Sequence, residues 1–160
     1  MKRIILILTL CFLLLCSCAK NEVTVEYKND VDVEQIATKI IETNSLTSLT
    51  KADEGWVALN IPVDTSLCES SVVYTSITGE SNLFGIFKAT SVENADKVLE
   101  MSNKYLDSLE ANWMSEYAPE ELPKVQNAIA MKCGNYVSFI ILEDNLRDSA
   151  ENTIVEMLKK

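Results

Sequence analysis

The 160-residue chain carries 24 acidic and 14 basic side chains and no histidine, for a formal charge of -10. So acidic a surface argues against nucleic acid as a partner, because phosphates are bound by cations with release of counterions. The lack of histidine removes the usual acid-base residue near neutral pH and every histidine-based zinc site, while the length suits one domain with one core.

Met1 to Cys18 read MKRIILILTLCFLLLCSC. Lys2 and Arg3 form a cationic start, and Ile4 to Leu15 form an uncharged apolar run, the pattern of an export signal. As a helix, about 12 residues at about 1.5 Å each span roughly 18 Å, short of the ~30 Å of hydrocarbon a stable span must cross. Leu15-Cys16-Ser17-Cys18 resembles the lipobox of bacterial lipoproteins. That resemblance implies a diacylglyceryl thioether on Cys18, whose thiol is the nucleophile the chemistry needs, and cleavage between Ser17 and Cys18. Two other readings compete: cleavage after Ala19 by an ordinary signal peptidase, and an uncleaved anchor. Two or more acyl chains hold a protein at a membrane stably, where one is marginal.

Removing residues 1–17 takes away Lys2 and Arg3, leaving 12 cations against 24 carboxylates and a side-chain charge of -12. Anionic headgroups repel such a domain, so lipid on Cys18 rather than a basic patch makes the membrane a partner. Residues 18–30 are read as a tether and 31–160 as a single domain, although Val23 to Tyr27 alternate as an edge strand would. Of the cysteines beyond Cys18, Cys68 and Cys133 could form a disulfide or be two separately buried thiols.

Asp32 and Gln35 suit a capping box for a first helix with the apolar row Val33, Ile36, Ala37, Ile40 and Ile41, ending near Asn44. Ser45 to Leu67 has no clear period. Trp56 lies within it and either packs on the core or lines a ligand groove. From Cys68 the period becomes two: Val73, Thr75 and Ile77 share one strand face, Thr78 to Asn82 form a turn, and Leu83 to Lys88 return as an apolar strand. Thr90 and Glu93 suit the start of the longest helix, with Val92, Ala95, Leu99, Ser102, Leu106, Leu109 and Trp113 along one side. Glu93 with Lys97 and Glu100 with Lys104 are spaced for ion pairs on a flanking side, and Pro119 and Pro123 break the pattern.

Asn127 to Lys132, the two-residue turn Gly134-Asn135 and Tyr136 to Leu142 form a second hairpin. Asn145 suits the cap of a final helix with the stripe Leu146, Ala150, Ile154, Met157 and Leu158. The expected fold class is α+β: an antiparallel four-stranded sheet from two hairpins with helices packed on it, in the order α-ββ-α-ββ-α.

Leu83-Phe84-Gly85-Ile86-Phe87-Lys88 before a long helix, then Pro119-Glu120-Glu121-Leu122, Asn127-Ala128 and Gly134-Asn135-Tyr136-Val137, resemble the bacterial lipoprotein family called domain of unknown function 4358. The likeness covers roughly Asp32 to Lys160. It implies a small α+β lipoprotein domain in the bacterial envelope and supplies no activity and no functional residues.

Several chemistries lack their residues. Glycines at 55, 79, 85 and 134 cannot make a phosphate-binding loop, and no Asp-x-Asp-x-Asp-Gly run offers an EF-hand calcium loop. Ser81 between Gly79 and Gly85 lacks nucleophile-elbow spacing, and no histidine exists to complete a triad. Asp53-Glu54, Glu120-Glu121 and Glu143-Asp144 are the candidate carboxylate pairs. The reading is a membrane-tethered, extracytoplasmic lipoprotein with no catalytic residues, metal or cofactor assigned, acting as a binding or protein-interaction module for an envelope protein or small ligand. The alternative is a small carboxylate-dependent envelope hydrolase.

Overall fold

The computed structural model describes residues 25–114, 116 and 118–160. The expected signal peptide, the Ser17-Cys18 junction and the first part of the tether lie outside the described residues. In chain order the elements are α1 (Val33–Asn44), β1 (Leu49–Lys51), α2 (Glu54–Asn60), a single 3-10 turn (Thr65–Leu67), β2 (Cys68–Ser76), β3 (Leu83–Ala89), α3 (Val92–Ala111), α4 (Leu122–Gln126), β4 (Ile129–Cys133), β5 (Tyr136–Ile141) and α5 (Asp144–Leu158).

The fold is α+β, but the sheet has five strands rather than the four expected, in the order β1-β2-β3-β5-β4 with every neighbouring pair antiparallel. Both expected hairpins form, and β3 pairs with β5 at the centre. The added strand, β1, is three residues long, too short to show a period; it exists because Leu49, Thr50 and Lys51 pair with Ser76, Thr75 and Tyr74. The stretch read as irregular therefore holds β1, α2 and the 3-10 turn.

Alternation along the central strands explains the layering. Phe84 and Ile86 of β3 join Ile140 of β5 in a core with α1 and α5, and Leu83 and Phe87 join Val137, Phe139 and Ile141 in a second core with α3. All six residues of β5 are buried, as a strand covered on both faces requires. Gly85 is enforced by packing: a Cβ there would lie 2.7 Å from the Phe139 ring and 2.9 Å from that of Phe87.

Apart from Asp32, the helix caps lie one or two residues from the expected positions. Asp32 caps α1 by accepting from the Glu34 N–H at 2.9 Å, but the left-handed residue that closes this helix is Ser45, at φ 54°, not Asn44. Ser91 rather than Thr90 caps α3, taking the Asn94 N–H at 3.1 Å, while the Thr90 hydroxyl donates to the Leu67 carbonyl. The buried row of α3 is Ala95, Val98, Ser102 and Leu106, with Val92 exposed; both i, i+4 ion pairs form. Pro123 is the second residue of α4, in the first turn, where its missing N–H costs nothing. Glu143, not Asn145, occupies the cap position of α5 and makes no side-chain cap bond.

Part of the stretch assigned to the tether is paired. Tyr27 bridges Lys159 in antiparallel fashion, the Lys28 N–H donates to the Leu158 carbonyl at 2.7 Å, and the Lys160 N–H donates to Glu26 at 3.1 Å. Cys68 and Cys133 are free thiols in the two different cores, on opposite faces of the sheet.

Candidate functional site

A groove of about 960 Å³ runs along the outer edge of β2. It exists because β2 is nine residues long and β1 only three, so β1 covers just the end of its neighbour. Beyond Lys51 the chain leaves the sheet: the Ala52 N–H makes a last bond to the Val73 carbonyl at 2.9 Å, then α2 and the 3-10 turn swing out and return at Cys68. The uncovered run Cys68 to Val72 lies along the groove, facing Gly55 and Val57 of α2 and Ile61 and Val63 after it.

Backbone direction along β2 follows from the ladders. Val73 points its carbonyl at Ala52, away from β3, whereas Ser76 donates to Asn82 across the hairpin. Alternation then turns Ser71, like Val73, outward, so its N–H and C=O face the groove instead of β3. The register of β2 with β3 slips between Cys68 and Ser70, a bulge that places Glu69 beside the opening.

Four charged groups line the groove: Lys51, Glu54, Asp64 and Glu69. Lys51 is held by Glu34, which raises its pKa through that hydrogen bond and charge, and Glu69 takes Lys88 at 2.6 Å. Asp64 caps the 3-10 turn; the Ser66 hydroxyl and N–H lower its pKa, so it stays ionised. Among the described residues no cation pairs with Glu54 or Asp64. Cys68 is the groove's nucleophile by type, but burial, with a smaller push from Asp64, raises its pKa to about 11. It is a protonated thiol at neutral pH, without the thiolate that attack needs.

Of the residues singled out in the sequence, Glu54 and Cys68 line the groove and the others fall elsewhere. Trp56 is half-buried against the second core, so the helix that walls the groove is seated by it, while the indole does not line the opening. Asp53 caps α2 by accepting the Trp56 N–H at 2.9 Å, and Glu54 lies at the groove. Glu121 is buried with Lys124: its Oε2 accepts from Lys124 Nζ at 2.8 Å, from the Ser81 N–H at 2.8 Å and from the Ser81 hydroxyl at 2.6 Å. Glu143 lies 3.5 Å from Lys124, and Asp144 is held by Arg147 at 2.6 Å.

Burial alone would raise the Glu121 pKa, but the bonds from Lys124 and Ser81 outweigh it and hold the carboxyl below its ordinary 4.5. Burial likewise opposes the charge on Lys124, and Glu121 and Glu143 more than restore it, so the ammonium keeps its proton more firmly than usual. Ser81 beside a lysine that does not release its proton has no base to activate it. This cluster ties the β2–β3 turn to α4. Among the described residues the carboxyls with displaced pKa values, Asp64, Glu100 and Glu121, all move down, opposite to a general acid.

The groove carries no sequence signature. Ser70 and Ser71 look like ordinary strand residues, and the site arises from a partner strand that stops short.

A family model described as Domain of unknown function (DUF4358) matches residues 42–142. No curated protein and no solved structure matches the chain.

Proposed function

This chain belongs to the family Domain of unknown function (DUF4358), and on that premise we propose that it is a lipid-anchored extracytoplasmic bacterial lipoprotein whose domain is a non-catalytic binding module with its site along β2. The carrying observation is the groove itself: an uncovered strand edge with an apolar wall and an acidic rim. What supports binding over carboxylate hydrolysis is how four of the six candidate carboxylates are used. Asp53 caps a helix, and Glu121, Glu143 and Asp144 face lysine or arginine.

The anchor rests on the lipobox-like Leu15 to Cys18. The described chain begins beside the C-terminus of α5, with Tyr27 against Gly134, and Ala89, the partner of Cys68, takes its N–H to Asn135 at this same end of the sheet. Lipid on Cys18 is therefore joined to the domain at this end of the sheet.

The test is made in intact bacteria. A clickable palmitate analogue labels the protein, and Cys18→Ala abolishes the label. A photo-crosslinking residue at exposed Ser70 yields a discrete adduct that the same residue at exposed Asp107 on α3 does not. Label that survives Cys18→Ala overturns the anchor, and equal adduct patterns at the two positions overturn the binding site.

A further inference from the structure

Resting on the binding-module reading, we infer that the groove takes an extended cationic peptide, which adds a sixth strand to the outer edge of β2. Three observations carry this. The first is the unused main chain. Ser71 turns its N–H and C=O outward just beyond the last bond from Ala52, so a strand entering the groove continues the ladder that β1 begins. Added strands obtain affinity from such backbone bonds and selectivity from alternate side chains.

The second observation is that the devices that usually blunt an open edge are confined to one end of it. Ser70, Ser71 and Val72 include no lysine and no proline. The bulge lies at one end of the run, between Cys68 and Ser70, and leaves Ser71 to Val73 in regular register. From Cys68 to Val72 the free edge measures about 13 Å, at about 3.3 Å per residue, enough for a strand of about four residues.

The third is charge. Lys51 and Glu69 are each neutralised by a partner, Glu34 and Lys88, which leaves Glu54 and Asp64 as the carboxylates without a cation among the described residues. An incoming strand with lysine or arginine at alternate positions meets this rim favourably. A second copy of β2 would bring the same carboxylates, so self-pairing is opposed by like charge.

The probe is a fluorescein-labelled octapeptide of alternating lysine and valine, titrated by anisotropy into the full-length protein in detergent micelles. Binding is expected to weaken at least tenfold in Ser71→Pro, which removes the outward N–H at a position where an edge strand tolerates proline. It is expected to be unchanged in Ala130→Pro on β4, the opposite edge. The double variant Glu54→Gln with Asp64→Asn weakens it severalfold, and a glutamate–valine octapeptide binds at least tenfold less well than the lysine–valine one. Circular dichroism establishes that the variants fold; if Ser71→Pro does not, slowing of Ser71 amide exchange in the unaltered protein is the readout.

Equal binding to Ser71→Pro and the unaltered chain, or no preference between the two octapeptides, overturns the inference. Sedimentation showing a dimer that Ser71→Pro dissociates gives the edge to a second copy and also overturns it. A failed octapeptide with the Ser70 adduct still forming in cells removes the peptide and leaves the binding module standing; loss of both removes both.

Discussion

Replacing Glu121 with alanine strips the β2–β3 turn of its tie to α4. The Glu121 side chain is 11% exposed and that of Lys124 7%, and a single carboxylate oxygen takes three donors between 2.6 and 2.8 Å. Alanine would leave a buried ammonium with only Glu143 at 3.5 Å and the Asn82 amide oxygen at 3.2 Å. Removing one partner of a buried pair costs about 3–5 kcal/mol, because the other charge stays desolvated. With 1 kcal/mol worth about 2–4 °C in a chain of this size, Tm should fall by roughly 10 °C. Urea unfolding followed by circular dichroism gives the free energy directly. Glu121→Met with Lys124→Met removes both charges and should recover more than half of the loss, as apolar replacements of buried pairs do.

The same pair sets a pH dependence. The Glu121 pKa is lowered on folding, so its contribution is complete above the unfolded value and disappears as pH falls through the folded one. That of Lys124 is raised, so its contribution is complete below the unfolded value and disappears as pH rises through the folded one. Stability of the unaltered chain should therefore drop more steeply on acidification than that of Glu121→Ala. A loss below 1 kcal/mol in Glu121→Ala, with no change in acid sensitivity, would refute the reasoning.

Three further outcomes are expected. Gly85→Ala forces a methyl into the Phe139 and Phe87 rings and should cost at least 1–3 kcal/mol, about the penalty of overpacking a tight core, measured by chemical unfolding. Ser138 buries a hydroxyl that has no partner among the described residues, so Ser138→Ala should raise stability by about 1 kcal/mol, and a decrease of that size would contradict the assignment. Cys68 and Cys133 sit on opposite faces of the sheet, and burial raises both thiol pKa values. Reductant should therefore leave Tm unchanged, and Cys68 and Cys133 should alkylate at pH 7 only when the protein unfolds.

Much of the fold was legible because it obeys local periods. The alternation from Cys68, the turn at Gly134-Asn135 and the row Val33, Ile36, Ala37, Ile40 reach the structure almost unchanged. What was missed depends on tertiary partners. Leu49 to Lys51 become a strand only because β2 is there to pair with them, and Asp53 starts a seven-residue helix that Trp56 and Val57 fasten to a core built from distant strands. The cap of α3 moved one residue, from Thr90 to Ser91, because Thr90 is drawn to the Leu67 carbonyl across the sheet end. The candidate site was the least legible part. Its defining feature is a length mismatch between β1 and β2, and no side chain records it.

Amide hydrogen exchange at Ser71 tests the central claim most directly. The account predicts that its N–H exchanges quickly in the free protein, as an outward-facing edge amide should, and slows at least tenfold when the lysine–valine octapeptide saturates the groove. The amide of Val72, in register with Ile86 of β3, should be slow in both states. A Ser71 amide that is already protected in the free protein, or one whose rate the peptide leaves unchanged, would contradict the account.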